Sequence, residues 1–365
     1  MFLVTYRRDL IVHSSRRRII PVALLLAATL ALAACGSDDN TPADTGTTGN
    51  NSEKVTLRLG YFPNVTHAPA IIGVQDGAFA KALGSNVDLK LSDYNSGTEV
   101  TTAILAGALD ASFVGPNPAI NAFQKSGGKV IRIVAGTASG GAALVVKPEI
   151  TSVADLAGKK LATPSLGNTQ DVALRAFLKS KGLETDLEGG GEVSIIPQDN
   201  STTVTAFQTG AIDGAWVPEP YSTLLKNEGG KVLVDEATLW PEGKYVTTHL
   251  VVATKFLNDH PEQVSALIKA LSDSIDLIKS DPDQAKQLVS DGIDEITGKP
   301  LPIPIVTSSF GTINFTLDPI PSSLEKDAAD AKDVGLIDSS DLEGIYDLTL
   351  LNEFLEGQGK DPITP

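Results

Sequence analysis

Cysteine is almost missing from this 365-residue chain: Cys35 stands alone, so neither an internal disulfide nor a cysteine-based zinc site can form. Histidine is nearly as scarce, and His13, His67, His249 and His260 sit at spacings that fit no HExxH or H-x3-H motif. No structural metal and no cofactor is expected. Positive charge is also in deficit: 29 Lys plus Arg stand against 45 Asp plus Glu, a formal charge of −16, which is the wrong sign for neutralising phosphates. Nucleic acid is therefore not expected as a partner. Catalytic signatures are missing as well. The chain has no GxSxG and no GxGxxG, and its nearest approach to a P-loop, residues 292–300, has the wrong spacing and a Pro where Ser or Thr is needed. A non-enzyme is expected, and a secreted cleft hydrolase pairing a serine such as Ser139 with His67 is the competing reading.

What is present begins with a segment unlike the rest. Arg7, Arg8, Arg16, Arg17 and Arg18 against Asp9 precede sixteen uncharged residues, 19–34, a basic region followed by an apolar core in the manner of a signal peptide. A membrane-spanning helix needs about 20 apolar residues, and this run is shorter and carries Pro21. The core ends in Leu32-Ala33-Ala34-Cys35-Gly36, where small residues before a cysteine resemble the bacterial lipobox; the lone thiol lies where acylation would occur. Without residues 1–34 the chain is four charges more negative still. Residues 36–53 hold no large apolar side chain and read as a disordered tether, with a root-mean-square reach on the order of 25 Å. The expected location is the outer face of a bacterial cytoplasmic membrane, held by lipid on Cys35, with either the general secretory or the twin-arginine route open.

From Val55 onward short β-branched runs alternate with helical segments, the pattern of an α/β fold with largely parallel sheets. Strands are expected at 55–61, 87–91, 111–114, 130–135, 142–146, 160–162, 193–196, 214–217, 232–234 and 250–253. Ser96-x-x-Glu99 reads as a capping box, Asp259 before Pro261 as a helix start, and 341–357 as a final helix. About 310 ordered residues strain a single core, so two lobes are expected. Residues 102–114 match 205–217 at a constant offset of 103, and each copy enters a Pro-rich turn. The same offset lays 57–62 onto 160–165. Gly107 and Gly210 suit the left-handed position that ends a helix, and Asp110 and Asp213 the following turn. The boundaries predicted are 54–146 with 248–365 for the first lobe and 147–247 for the second, so the chain crosses between them twice.

Ligands of open parallel sheets bind at the carboxyl ends of strands, where loops feed helix N-termini. That rule selects loops 61–67, 94–98, 115–118, 137–141, 165–170, 199–202 and 217–221, which are rich in Ser, Thr, Asn, Gly and Pro and contain no Lys or Arg. Free backbone N–H groups and hydroxyls can hold an oxyanion without a cation. The candidate ligand contacts are Asn64 and His67 after the first strand, Asn117 in the Gly-Pro-Asn-Pro turn, and Ser139 and Gly140 near the first crossing. In the second lobe they are Ser165, Gly167, Asn168 and Thr169 ahead of a helix, Trp216, which occupies the repeat position of Phe113, and Glu219 between two prolines.

The lipobox, the opening Leu59-Gly60-Tyr61-Phe62-Pro63-Asn64-x-Thr66-His67-Ala68-Pro69, the paired Gly-Ala-Leu/Ile-Asp repeats, the stretch 152–159, Gly167-Asn168-Thr169-Gln170 and Val217-Pro218-Glu219-Pro220 together resemble the nitrate/sulfonate/taurine class of ABC-transporter solute-binding proteins, relatives of the thiamine-pyrimidine precursor binders. The resemblance runs to about residue 280. It implies a type II periplasmic-binding fold, a monomer that closes on a small solute and hands it to an ABC permease. An aliphatic sulfonate is the solute expected first, with taurine, nitrate or bicarbonate, or a pyrimidine as alternatives. Two departures sharpen this. The missing Lys and Arg argue against a site that grips nitrate or bicarbonate with a cation, while Glu219 leaves room for an amine. The cysteine-rich motif of the related eukaryotic pyrimidine synthases is absent from this sequence. Residues 300–365 carry no recognisable motif.

Overall fold

The computed structural model describes residues 54–365. The expected signal peptide, the tether and Cys35 lie outside the described residues. Eleven strands are formed: β1 (Val55–Tyr61), β2 (Val87–Asp93), β3 (Ala111–Val114), β4 (Ile131–Gly140), β5 (Ala142–Val146), β6 (Lys160–Thr163), β7 (Ser194–Pro197), β8 (Gly214–Pro218), β9 (Lys231–Asp235), β10 (Val246–Ala253) and β11 (Ile313–Phe315). Helices of the first half are α1 (Ala68–Gln75), α2 (Ala78–Leu83), α3 (Gly97–Leu105) and α4 (Pro116–Lys125). The middle of the chain supplies α5 (Thr169–Ser180), α6 (Asn200–Gln208) and α7 (Tyr221–Asn227). The remainder supplies α8 (Thr254–Asp259), α9 (Pro261–Ser280), α10 (Pro282–Thr297), α11 (Ile303–Phe310), α12 (Pro321–Asp333) and α13 (Thr349–Gly357).

Two sheets result, in the orders β11-β4-β10-β3-β1-β2 and β7-β6-β8-β5-β9. They follow one plan. Three parallel strands (β2-β1-β3 and β7-β6-β8) are joined by an antiparallel strand whose chain has just arrived from the other lobe, β10 in the first sheet and β5 in the second. The α/β class and the two lobes are as expected, but each sheet is mixed rather than mostly parallel, because a crossing strand enters against the direction of its hosts. Apolar side chains pack on both faces of both sheets, so the short central strands β3 and β8 are buried along their whole length.

Four local expectations change. The run 142–146 belongs to the second sheet, where it pairs with β8 and β9, so the first crossing lies at Gly140–Gly141 and not at 146–148. Both glycines take positive φ, +83° and +76°, a conformation that favours residues without a Cβ. The second crossing runs beside the first: the Gly140 N–H donates to the Tyr245 carbonyl at 3.2 Å, and the Tyr245 hydroxyl accepts from the Ala142 N–H at 3.2 Å. The repeat keeps its offset of 103 in β3 and β8, but Leu59 pairs with Ala111 where Leu161 pairs with Gly214, so the first strands are offset by 102. A slip of one residue exchanges the faces of a strand, so only pairing could reveal it. Asp259 ends α8 and pairs with Lys255 while His260 precedes α9, and the last helix starts at Thr349. By contrast Ser96 and Glu99 form the capping box, and Gly107 and Gly210 are left-handed at φ +68° and +74°. No helix among the described residues is long and apolar enough to cross a membrane.

Candidate functional site

The loops after β1, β2 and β3 meet the loops after β6, β7 and β8 around a small cavity of about 30 Å³ between the lobes. Four helices start there. Asn168 caps α5 by accepting the Asp171 N–H at 3.1 Å, which leaves the first-turn N–H groups of Thr169 and Gln170 without a partner in the helix. Ser96 caps α3, Gly115 precedes α4, and Asn200 opens α6 with a buried side-chain oxygen that has no partner. Ser96, Gly115, Asn168, Thr169, Gln170 and Asn200 all line the cavity. The α5 start is braced from behind by Asp171, which accepts from the Thr163 hydroxyl at 2.8 Å, the Gly167 N–H at 2.9 Å and the Arg175 guanidinium at 2.9 Å. Arg175 and Asp171 are both buried, so this pair fixes the loop and offers no charge to the cavity.

His67 forms one wall. Its Nδ1 accepts the Phe62 N–H at 3.3 Å and its ring stacks on Phe62 with centroids 4.5 Å apart. Burial holds the imidazole down to about 3, so the ring is neutral and carries its proton on Nε2. Thr247 reaches the cavity from the crossing strand β10, its hydroxyl bonded to the Gly140 carbonyl. Among the described residues, no Asp, Glu, Lys or Arg lines this space. It is a neutral polar cage whose field comes from backbone dipoles, each helix start worth about half a positive charge.

Of the expected contacts, Asn64, His67, Asn168 and Thr169 reach the cavity. The others do different work. Ser165 meets Thr98 across the lobes with hydroxyls 3.2 Å apart, and the Gly167 carbonyl accepts from Asn121 Nδ2 at 3.3 Å, so both residues hold the closed arrangement at its edge. Asn117 donates to the Asp327 carbonyl at 3.2 Å and ties α4 to α12. Ser139 and Gly140 are spent on pairing β4 with β10 and β11, so Ser139 does not share a cavity with His67. Trp216 is fully buried against Phe177 and donates to Glu236 at 2.6 Å. Glu219 accepts from the Thr223 N–H and hydroxyl at 3.0 and 2.9 Å and from the Ser309 hydroxyl at 3.1 Å, which leaves it turned away from the cavity and unable to meet an amine there. Phe62, Ser96, Gly115, Gln170 and Asn200 also line the cavity, and their only sequence signal is their place in loops that follow strands. Thr247 carried no sequence signal, because only the insertion of β10 beside β4 brings it in.

Mixed sheets built around a crossing strand, a two-crossing hinge and a polar cavity between the lobes define the periplasmic solute-binding class. The chain belongs to the NMT1-like family, which it matches over residues 50–290. It is 31% identical over 232 residues to the taurine-binding periplasmic protein of Escherichia coli K12, spanning 64% of this chain and 69% of that protein. Among solved structures it superposes on the ligand-binding component of an ABC-type import system from Staphylococcus aureus with a TM-score of 0.67 at 17% identity, covering 82% and 99% of the two chains. The periplasmic aliphatic sulphonate binding protein SsuA of Escherichia coli gives 0.63 at 19% identity, covering 80% and 90%.

Proposed function

We infer that this chain is the solute-capturing component of an ABC importer and closes on a small sulfonate in the interlobe cavity. One observation carries the choice of solute: the cavity is walled by helix starts, amides, hydroxyls and a neutral imidazole, without a charged side chain. A sulfonate stays a monoanion whose oxygens only accept hydrogen bonds, which suits the free helix-start N–H groups and the His67 Nε2–H of this wall and needs no counter-cation. A cationic amine finds no carboxylate here, so sulfonates without an amino group are favoured over taurine. The kinship with taurine- and sulfonate-binding proteins supports the class. The protein is exported, anchored through acylated Cys35, works as a monomer, and presents both lobes to a permease; it releases its solute unaltered.

A thermal-shift screen of alkanesulfonates, taurine, nitrate, sulfate, bicarbonate and pyrimidine precursors tests this. Occupancy at a hundredfold excess over Kd adds about 2.7 kcal/mol to stability. Stabilisation by alkanesulfonates, with the compound recovered intact, supports the reading; stabilisation by pyrimidines or nitrate alone, or chemical conversion of the compound, overturns it.

A further inference from the structure

A second cavity, of about 220 Å³, lies between α5 and the 236–239 turn of the second lobe and α12 of the first. We propose that it is a site for a small organic ammonium ion that binds the closed molecule. Its apolar wall is Ala173, Ala176 and Phe177 of α5 with Trp240, and its polar side carries Glu236 from one lobe and Asp327 from the other, with the Lys326 and Asp330 pair beside them. Glu236 and Asp327 are 1% and 5% exposed. Glu236 accepts the Trp216 indole N–H, whereas Asp327, which lines the open space, has an Oδ2 without a partner. A buried acceptor left in this way is costly, and an N–H donor from an occupant relieves it.

The chain's own nearby cation does not fill the role. The Lys326 ammonium is tied to Asp330 and sits 4.8 Å over the Trp240 ring, bonded to neither buried carboxyl. Among the described residues no group of three or more acidic, histidine or cysteine side chains could hold a metal ion, which leaves an organic cation as the better fit. The ammonium would lie between the carboxyls, with the hydrocarbon against the alanine and Phe177 wall. Since the walls come from both lobes, occupancy favours closure and so raises solute affinity by the same factor by which the solute raises cation affinity.

The charge environment gives the site a pH signature. Burial pushes Glu236 up to about 7, with Asp235 adding to the rise and Lys326 and the indoles of Trp216 and Trp240 opposing it. Burial, with Glu236 and Asp330 nearby, holds Asp327 well above the usual carboxylate range against the pull of Lys326. The neighbouring phenols of Tyr245 and Tyr346 are raised and stay neutral, and the cavity-facing residues of α5 bring no titratable group. A cation must therefore displace a proton, and it binds more tightly as pH rises through about 7.

The full chain, without solute, is titrated with n-butylammonium chloride in a thermal-shift assay at pH 6 and pH 8, beside n-butanol and sodium chloride controls. Saturable stabilisation by butylammonium alone, with an apparent Kd roughly tenfold lower at pH 8 as expected for release of one proton, and its loss in Asp327→Asn or Glu236→Gln, are the expected results. Equal shifts from butanol or salt, a pH-independent Kd, or a full response in a folded Asp327→Asn protein would overturn the proposal. Should both variants fail to fold, the pH comparison and the controls on the unmodified chain decide.

Discussion

Replacing Gly115 by Ala tests whether the closed lobes define affinity. Gly115 precedes α4 in the first lobe, and a Cβ added there would lie 2.5 Å from Oγ1 of Thr169 in the second. Its φ of −68° and ψ of 161° suit any residue, so the substitution strains no backbone. Ala is the poorer N-cap by about 1 kcal/mol, and the stiffer unfolded chain returns about 0.4–1 kcal/mol. The stability of the unliganded lobes should therefore hardly change. Closure is different, because the lobes must stay about 1 Å further apart or compress the contact, and overpacking of this kind costs about 1–3 kcal/mol. That penalty falls on the closed state alone, so Kd for the sulfonate should rise by about 5- to 150-fold. Isothermal titration of Gly115→Ala, Thr169→Ala and the double variant forms a cycle in which the clash disappears once Thr169 loses its hydroxyl. The reasoning fails if Gly115→Ala binds as the parent does, or if it costs the same with Ala at 169.

Other expectations follow from buried charge and from the leader. His67 and His249 are held by burial at about 3 and 4; from pH 6.5 down to 4.5 the unfolded chain takes up protons that the native state refuses, so each histidine weakens the fold by about 1.4 kcal/mol per pH unit. Glu236 and Asp327, with raised values, keep protons that the unfolded chain has lost, so each strengthens the fold over the same fall. The two pairs act in opposite directions, so Asp327→Asn, which removes one stabilising proton site, should lose stability on acidification faster than the parent in urea denaturation; parallel pH curves for the two proteins contradict this. Asp171→Asn leaves the buried Arg175 without its counter-ion and should cost about 3–5 kcal/mol by urea denaturation; a loss under 1 kcal/mol refutes the bracing role. Cys35→Ser should move the exported protein from the membrane fraction to the soluble one, and retention on membranes refutes acylation at that thiol.

Much of the molecule was legible one residue type at a time. Short β-branched runs located ten of the strands because such side chains suit the packed central strands, β3 and β8 above all, while β11 escaped because Ile313–Phe315 is too short to show a period and exists by pairing with the β4 edge. The site loops were legible from their place after strands, and their lack of Lys and Arg already pointed to a cage of dipoles. Individual contacts were not. Glu219 and Trp216 look like ligand residues in sequence, but Thr223, Ser309 and Glu236 consume their hydrogen-bonding groups, and those partners lie up to 90 residues away.

The amino-acid sequence by itself determined the class: duplicated α/β halves, polar loops at the strand ends, an acidic chain with one thiol, all properties that local pattern and composition express. Tertiary structure alone decided where the chain crosses between lobes, which strand runs against its neighbours, and that Glu236 and Asp327 share a buried seam. Those outcomes depend on which distant backbones pair and which carboxyls are stripped of water together, quantities that belong to two segments at once and are written in neither.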